Sequence, residues 1–593
     1  MHGYASLKRL PPASMRSHRN SYVAVLLALI AALVPRPAAA AMQPVHAPHA
    51  MVVSVHGLAS QAGVDVLRQG GNAVDAAVAV GFALTVVHPQ AGNIGGGGFM
   101  LVRLANGAAH FIDYREKAPA KATRDMYLDG QGNIIPGAST IGYKAIGVPG
   151  SVAGMVYAEK KYGKLTLAQV MAPAIRLARD GFALSWAEAD EMRDPELAKF
   201  PASRQIFQRD GKYYQAGEIF RQPELAATLE KIASTPNDFY HGEIARKIAA
   251  AVQQGGGLIT AQDLANYQVK ERRPVHGTYR GYEILSAPPP SSGGIALVEA
   301  LNILEGYDLG ALGSHSAESI HLTVEAFRRA FFDRAEFLGD PDFANIPVAQ
   351  LVDKKYGQAW RASLDPHHAS DSRQLKRPSE FTALERYAQQ HPLPVVVREP
   401  EHTTHYSVVD AEGNAVSVTT TLNDSFGSRV TVPGLGFLLN DEMDDFTSKP
   451  GAPNLYGLIQ SPNNAIGPEK RPLSAMTPTI VLKDGKLFLV LGSPGGPRII
   501  TTVANILMGV VDYGMNIQEA VDAPRFHHQW LPDTVYLEKG FSPDTIKRLQ
   551  GMGHKIEVED YWSDGECIAV NPKTGERLGA TDVRNVSGNA IGY

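Results

Sequence analysis

The feature that most constrains the fold is a pair of alternating runs on either side of a glycine turn. His402-Thr403-Thr404-His405-Tyr406-Ser407-Val408-Val409-Asp410 leads through Ala-Glu-Gly-Asn into Ala415-Val416-Ser417-Val418-Thr419-Thr420-Thr421. Polar and apolar residues alternate in both runs, which predicts two half-buried antiparallel strands joined as a β-hairpin. Ahead of it, residues 392–400 read Pro-Leu-Pro-Val-Val-Val-Arg-Glu-Pro, an extended segment that cannot continue a helix and is open to cleavage. If the bond between His402 and Thr403 breaks, Thr403 gains a free α-amine beside the carbon that bears its hydroxyl. A weak alcohol nucleophile then carries its own general base. Thr404 is the rival one residue on, and every threonine here is also a good strand former.

The same run resembles the start of the small subunit in the γ-glutamyltransferase, or glutathione hydrolase, family. Five further blocks resemble that family in its order: Gly92-Asn-Ile-Gly-Gly-Gly-Gly-Phe-Met100, Asp113-Tyr-Arg-Glu-Lys-Ala-Pro119, Asn440-Asp-Glu-Met-Asp-Asp-Phe446, Lys470-Arg-Pro-Leu-Ser-Ala-Met476 and Leu491-Gly-Ser-Pro-Gly-Gly-Pro497. The resemblance implies an α/β fold, the αββα four-layer sandwich of the N-terminal nucleophile hydrolases with antiparallel central sheets. It also implies self-cleavage before the first threonine of the pair, which selects Thr403. Residues 42–402 then form a large subunit and residues 403–593 a small one, a heterodimer sharing one fold. The implied chemistry is attack by Thr403 on the γ-glutamyl carbonyl of glutathione or a related compound. The resulting γ-glutamyl ester passes to water, an amino acid or a dipeptide, with no metal or organic cofactor.

An acyl-transfer site needs donors for an oxyanion. The apolar strand at residues 487–492 runs into Ser-Pro-Gly-Gly-Pro-Arg and a helix near Ile499. Backbone N–H groups of Gly495 and Gly496 at that helix mouth suit the task. By resemblance these glycines do this work, and the Thr421 hydroxyl hydrogen-bonds the nucleophile. A γ-glutamyl group carries an α-carboxylate and an α-ammonium. Arg115, with its planar fork, and Ser474 are expected on the carboxylate; Asp445, Glu442 and Asn423 are expected on the ammonium. One position departs from the family, where a second serine is usual: here it is Ala475, a lost donor worth about 1.5 to 3 kcal/mol to a charged group unless compensated. Residues 449–468, with Tyr456 near the middle, resemble a lid loop over that pocket.

Other motifs fail. The glycines at 92–98 lack a nucleotide-binding pattern and predict close backbone packing. No His-Glu-x-x-His frame and no Gly-x-Ser-x-Gly elbow occurs. With 593 residues, 44% apolar and 20% charged, the chain is ordinary globular material with room for a large layered core. The charged residues before Met42 are the five bases Lys8, Arg9, Arg16, Arg19 and Arg36, so losing them takes the formal charge from −4 to −9. A mildly acidic chain is a poor nucleic-acid binder. Residues 1–41 read as a cleavable secretory leader: basic start, apolar run of 13 residues, then Ala38-Ala-Ala-Ala41. That run is shorter than the roughly 20 residues a membrane span needs, so a periplasmic or secreted protein without a stable membrane anchor is expected. Cys567 is the only cysteine, which excludes a disulfide framework.

Helices are predicted at 73–86, 151–162, 165–180, 225–232, 295–304 and 316–337, a helical pattern from Val52, and strands at 99–103, 109–114 and 279–285. Two other functions compete: a glutaryl or cephalosporin acylase on the same fold, which needs no ammonium site, and a catalytically silent exported binding protein.

Overall fold

The two alternating runs form the expected hairpin. Thr404–Val409 pairs antiparallel with Ala415–Thr421, with Thr404 opposite Thr420 and Val409 opposite Ala415. The structure, a computed structural model, describes residues 42–381, 384, 403–447 and 462–593. Residues 44–593 form one compact unit. The expected leader 1–41, His402 and Tyr456 lie outside the described residues.

The hairpin is the centre of a seven-stranded sheet. Its strands run in the order Asn589–Gly592, Met51–Ser54, Thr404–Val409, Ala415–Thr421, Gly97–Arg103, Ala109–Asp113 and Lys270–Arg272. A second seven-stranded sheet runs Val45–Ala47, Arg577–Thr581, Glu566–Val570, Lys486–Leu491, Thr479–Lys483, Tyr282–Ser286 and Val275–Tyr279. Each pairing within both sheets is antiparallel. Both sheets contain strands from before and from after residue 403, so neither piece owns a sheet.

Strand periodicity assigns the layers. Tyr406, Val408, Val416 and Val418 share a core with the helices Gly57–Arg68 and Ala73–Val87. The alternate positions face the second sheet, where Ser407 Oγ donates to the carbonyl of Glu566 at 2.7 Å and Ser417 Oγ to that of Leu491 at 3.0 Å. On its far side the second sheet shares a core with the helices Gly293–Leu304, Ala317–Phe337 and Arg498–Val511. The result is helix, sheet, sheet, helix, as the family resemblance implies.

Two local expectations need correction. The helical pattern from Val52 opens with a strand, Met51–Ser54, and the helix starts only at Gly57. A four-residue run buried on both faces has no period that separates strand from helix. The single strand expected at 279–285 is a hairpin, Val275–Tyr279 with Tyr282–Ser286, turning at Arg280 and Gly281, both at positive φ. The predicted helix at 151–162 is observed over those residues, and the others differ at their ends by a few residues.

Candidate active site

Thr403 is half-buried at the mouth of its strand, immediately before the ladder begins, and it lines two cavities at once. Thr404 lines neither; it is fully buried opposite Thr420. Thr403 Oγ lies 3.5 Å from Thr421 Oγ on the return strand. Thr421 Oγ also accepts the backbone N–H of Asn423 at 2.8 Å. The glycine run packs against this strand as the sequence predicts. A Cβ on Gly96 would fall 2.1 Å from the Thr421 carbonyl oxygen and one on Gly98 2.5 Å from that of Thr419. Bulk at either position would displace the backbone that holds Thr421.

Facing Thr403 is the turn between Lys486–Leu491 and the helix Arg498–Val511. Gly495 and Gly496 both have positive φ, 121° and 50°, where a side chain is strained. Their carbonyls accept from Arg498 and Ile499, while their own N–H groups find no acceptor among the described residues. The turn sits directly on the hairpin: a Cβ on Gly492 would lie 2.0 Å from the His405 ring. His405 is wholly buried there, with Nδ1 2.9 Å from Thr419 Oγ, and burial lowers its pKa to about 3.

The smaller cavity, about 330 Å³ of empty space, gathers Arg115, Asn423, Glu442, Asp445, Ser474 and Ala475 with Thr403, Thr421 and Gly496. These come from six separate stretches of chain. Arg115 follows the strand Ala109–Asp113. Glu442 and Asp445 are three apart on one helical turn, Glu442–Asp445, which aims both carboxylates the same way. Arg115 donates to Glu442 through Nη1 and to Asp445 through Nη2, and more loosely to the carbonyls of Pro472 and Leu473, each at 3.3 Å. The cation and anions expected to divide a zwitterion are thus paired with each other.

Burial works against the Arg115 charge, but Glu442, Asp445 and Glu116 hold its pKa above the usual range. Burial also pushes Glu442 upward and Glu116 up to about 7. Glu442 keeps its contact with Arg115, whereas Glu116 has no hydrogen-bond partner among the described residues and meets Arg115 Nη1 only at 3.7 Å. Asn423, at φ 83°, turns its amide to Asp441, 3.2 Å from the carbonyl oxygen.

Sequence reasoning missed Arg334, which lines the same cavity from the last turn of the helix Ala317–Phe337. It is 2% exposed. Its Nε donates to Ser292 Oγ at 2.9 Å, and Ser292 Oγ donates to the carbonyl of Ser474 at 2.6 Å. Its Nη1 has no partner among the described residues, and burial lowers its pKa to about 10 against the favourable charge of Asp445. A buried guanidinium with a spare donor suits an anion. No motif marks it; a basic residue among Arg328, Arg329 and Asp333 reads in sequence as a solvated helix face.

The gamma-glutamyltranspeptidase family model matches residues 59–592. A glutathione hydrolase proenzyme from Pseudomonas sp. (strain A14) is 50% identical over 568 residues, covering 94% of this chain and 96% of its own length. One from Escherichia coli (strain K12) is 50% identical over 554 residues, covering 93% of each. Among solved structures, a cephalosporin acylase from Bacillus halodurans superposes with a TM-score of 0.79 at 28% identity, covering 94% of this chain and 98% of that one.

Proposed function

The chain belongs to the γ-glutamyltranspeptidase family, and from that membership we propose that it is a self-processing γ-glutamyltransferase and glutathione hydrolase acting through Thr403. The observation that carries this reading is the position of Thr403, with the Thr421 hydroxyl on one side, two unpaired glycine N–H groups opposite, and a charged cavity alongside. In maturation, Thr403 Oγ attacks the carbonyl of His402; the peptide C–N bond gives way to an ester, which frees the α-amine, and water then opens that ester to the His402 carboxylate and the Thr403 hydroxyl. In turnover the amine takes the Oγ proton as Oγ attacks the γ-glutamyl carbonyl, and the proton passes to the departing amine. Gly495 and Gly496 donate to the oxyanion, and Thr421 steadies Oγ. Water or an acceptor amine then attacks the ester carbonyl, and the proton returns to Thr403 Oγ. Intact mass of the purified protein, then release from a γ-glutamyl anilide with and without glycylglycine, tests the reading. An uncut chain, or a cut chain that leaves the anilide intact, overturns it.

The reading locates the γ-glutamyl group in the smaller cavity, its ammonium toward Asp445 and Glu442 and its carboxylate toward Arg115, Ser474 and Arg334. Glutathione and other γ-glutamyl compounds are then the donors, and amino acids or dipeptides the acceptors. Arg334 offers the compensation that Ala475 calls for, since its free donor opens on the same space. Arg334→Met is expected to raise the donor KM about tenfold, the worth of one charge-assisted hydrogen bond, with Arg334→Lys recovering part of the loss. Equal KM values in wild type and both variants would remove Arg334 from the substrate contacts.

The acylase reading is kept apart by Asp445, because a glutaryl group brings no ammonium to it. Asp445→Ala, in protein that still processes, is expected to cut kcat/KM for a γ-glutamyl anilide at least about tenfold more than for a glutaryl anilide. Equal losses would return the acylase to first place. An exported protein, periplasmic or secreted, fits the expected leader; among the described residues no helix is long and apolar enough to cross a membrane.

A further inference from the structure

The helix Ala317–Phe337 carries His321 and Glu325 four residues apart, and therefore on one face. Neither lines a cavity beside Thr403. The helix Pro543–Gly551 ends next to them: Gly553, at φ 98°, turns the chain, and the N–H of His554 returns to the Leu549 carbonyl at 3.1 Å, which leaves the His554 ring against that of His321. All three side chains are buried. One ring nitrogen from each histidine and one Glu325 carboxylate oxygen lie within 4.8 Å of one another. We infer that His321, Glu325 and His554 form a binding site for a divalent transition-metal ion of the zinc type, which clips a segment before residue 403 to one after it. The site stands apart from the acyl-transfer reading. Only its joining of two chains, instead of two segments of one chain, rests on the cut before Thr403.

The hydrogen bonds show which nitrogens are open. His321 Nε2 is 2.8 Å from the Asp365 carbonyl oxygen, which can only accept, so the proton of the neutral ring sits on Nε2 and Nδ1 keeps its lone pair. A carbonyl on the far nitrogen is how metal-bound histidines are commonly oriented. His321 Nδ1 meets His554 Nε2 at 2.8 Å, so His554 donates there, and its Nδ1 is left a buried lone pair without a partner among the described residues. That vacancy lets a metal in. When an ion enters between the rings, the His554 proton moves from Nε2 to the empty Nδ1, and each ring presents one lone pair. Burial lowers the His554 pKa to about 3, so the ion meets a neutral imidazole. Two nitrogens bound to a tetrahedral zinc ion lie about 3.4 Å apart, which asks the rings to part by about half an ångström.

The surrounding charges set the strength. Glu325 already accepts from Arg328 Nε at 3.0 Å, Arg329 Nη1 at 2.7 Å and Ser370 Oγ at 2.6 Å. Of these side chains only the serine is neutral, and an incoming ion displaces it at least cost. Asp533 also pairs with Arg328, so the two acids and two arginines cancel and the ion's charge is not fully answered. Binding is therefore weaker than in a closed structural zinc site. His528 cannot add a ligand, because Nε2 is held by Asp533 at 3.2 Å and Nδ1 accepts the Trp530 N–H at 3.1 Å. Water takes the fourth place, and the imidazole nitrogens select zinc-like ions over magnesium or calcium.

The test is a Co²⁺ titration of purified, tag-free protein stripped with EDTA, since tetrahedral Co²⁺ absorbs visible light and stands in for zinc. One equivalent is expected to give ligand-field bands that Zn²⁺ erases and Mg²⁺ does not. His554→Gln and His321→Gln are each expected to weaken binding at least about tenfold, while His367→Ala with His368→Ala, at the exposed pair nearby, leaves it unchanged. Zn²⁺ is expected to raise the midpoint of thermal unfolding by about 2 °C in wild type and not in His554→Gln. Wild type without one-equivalent bands would overturn the site, as would bands that survive in both buried-histidine variants or vanish with the exposed pair. If a buried-histidine variant does not fold, the wild-type and exposed-pair titrations decide. None of these readouts involves γ-glutamyl turnover, so a failed titration leaves the acyl-transfer reading standing.

Discussion

Thr403→Ala is expected to remain a single uncut chain and to lose γ-glutamyl turnover by at least about 10⁴-fold, the scale on which removal of a covalent nucleophile acts. One hydroxyl is asked to do both jobs, so both fail together. Its neighbours cannot replace it. Thr404 is fully buried in the ladder, and Thr421 sits in mid-chain opposite Gly97, where it never acquires a terminal amine. Intact mass and N-terminal sequencing of the smaller wild-type fragment provide the check. A fragment starting anywhere but Thr403, or an alanine variant that still divides, would end the assignment.

The second large effect is on stability. His405 is held neutral between the sheets with its pKa lowered to about 3, whereas an unfolded histidine protonates near 6.5. Between those values the unfolded chain binds the extra proton, so this residue's contribution is whole above about pH 6.5 and drains away as pH falls toward 3. At pH 5 the loss is about 2 kcal/mol. Buried carboxyls pull the other way: Glu159, pushed up to about 9 by burial and the charge of Asp75, favours the folded state as pH falls. The total pH profile therefore mixes signs, and the histidine must be isolated by difference. In a Thr403→Ala background, which keeps one chain, the loss of unfolding free energy from pH 7.5 to pH 5 is expected to be smaller by about 2 kcal/mol in His405→Gln. Parallel urea titrations at the two pH values measure it. An identical loss in both proteins would show that His405 accepts its proton without unfolding.

Much of this was legible in the chain because it is local. A strict alternation around Ala-Glu-Gly-Asn permits little but a hairpin, and four consecutive glycines beside a strand signal backbone approach, which Gly96 and Gly98 make against Thr421 and Thr419. The paired acids Glu442 and Asp445 and the left-handed Gly495 and Gly496 likewise sit within single short blocks. What escaped is what folding assembles from afar. Arg334 reaches the smaller cavity from a helix whose charges look solvated in sequence, yet Arg328, Arg329 and Asp333 beside it are buried as well. The larger cavity beside Thr403 brings Trp186 together with Asp564, hundreds of residues apart, and no spacing rule connects them. The Met51–Ser54 strand failed for a different reason, since burial on both faces erases the period that would identify it.

The interleaving of the sheets gives a cut before Thr403 an unusual thermodynamic character. The Thr404–Val409 strand lies between Met51–Ser54 and Ala415–Thr421, and Thr479–Lys483 lies beside Tyr282–Ser286, so parting the two pieces means breaking both sheets along their length. Dissociation and unfolding are then one event. Before the cut, unfolding is unimolecular and its midpoint is indifferent to protein concentration. After it, the unfolded state is two independent chains with added translational freedom, so dilution favours unfolding and recovery becomes a second-order encounter. The nick that frees the amine of Thr403 also makes folding hard to retrace, and a molecule once matured depends on never having to fold again.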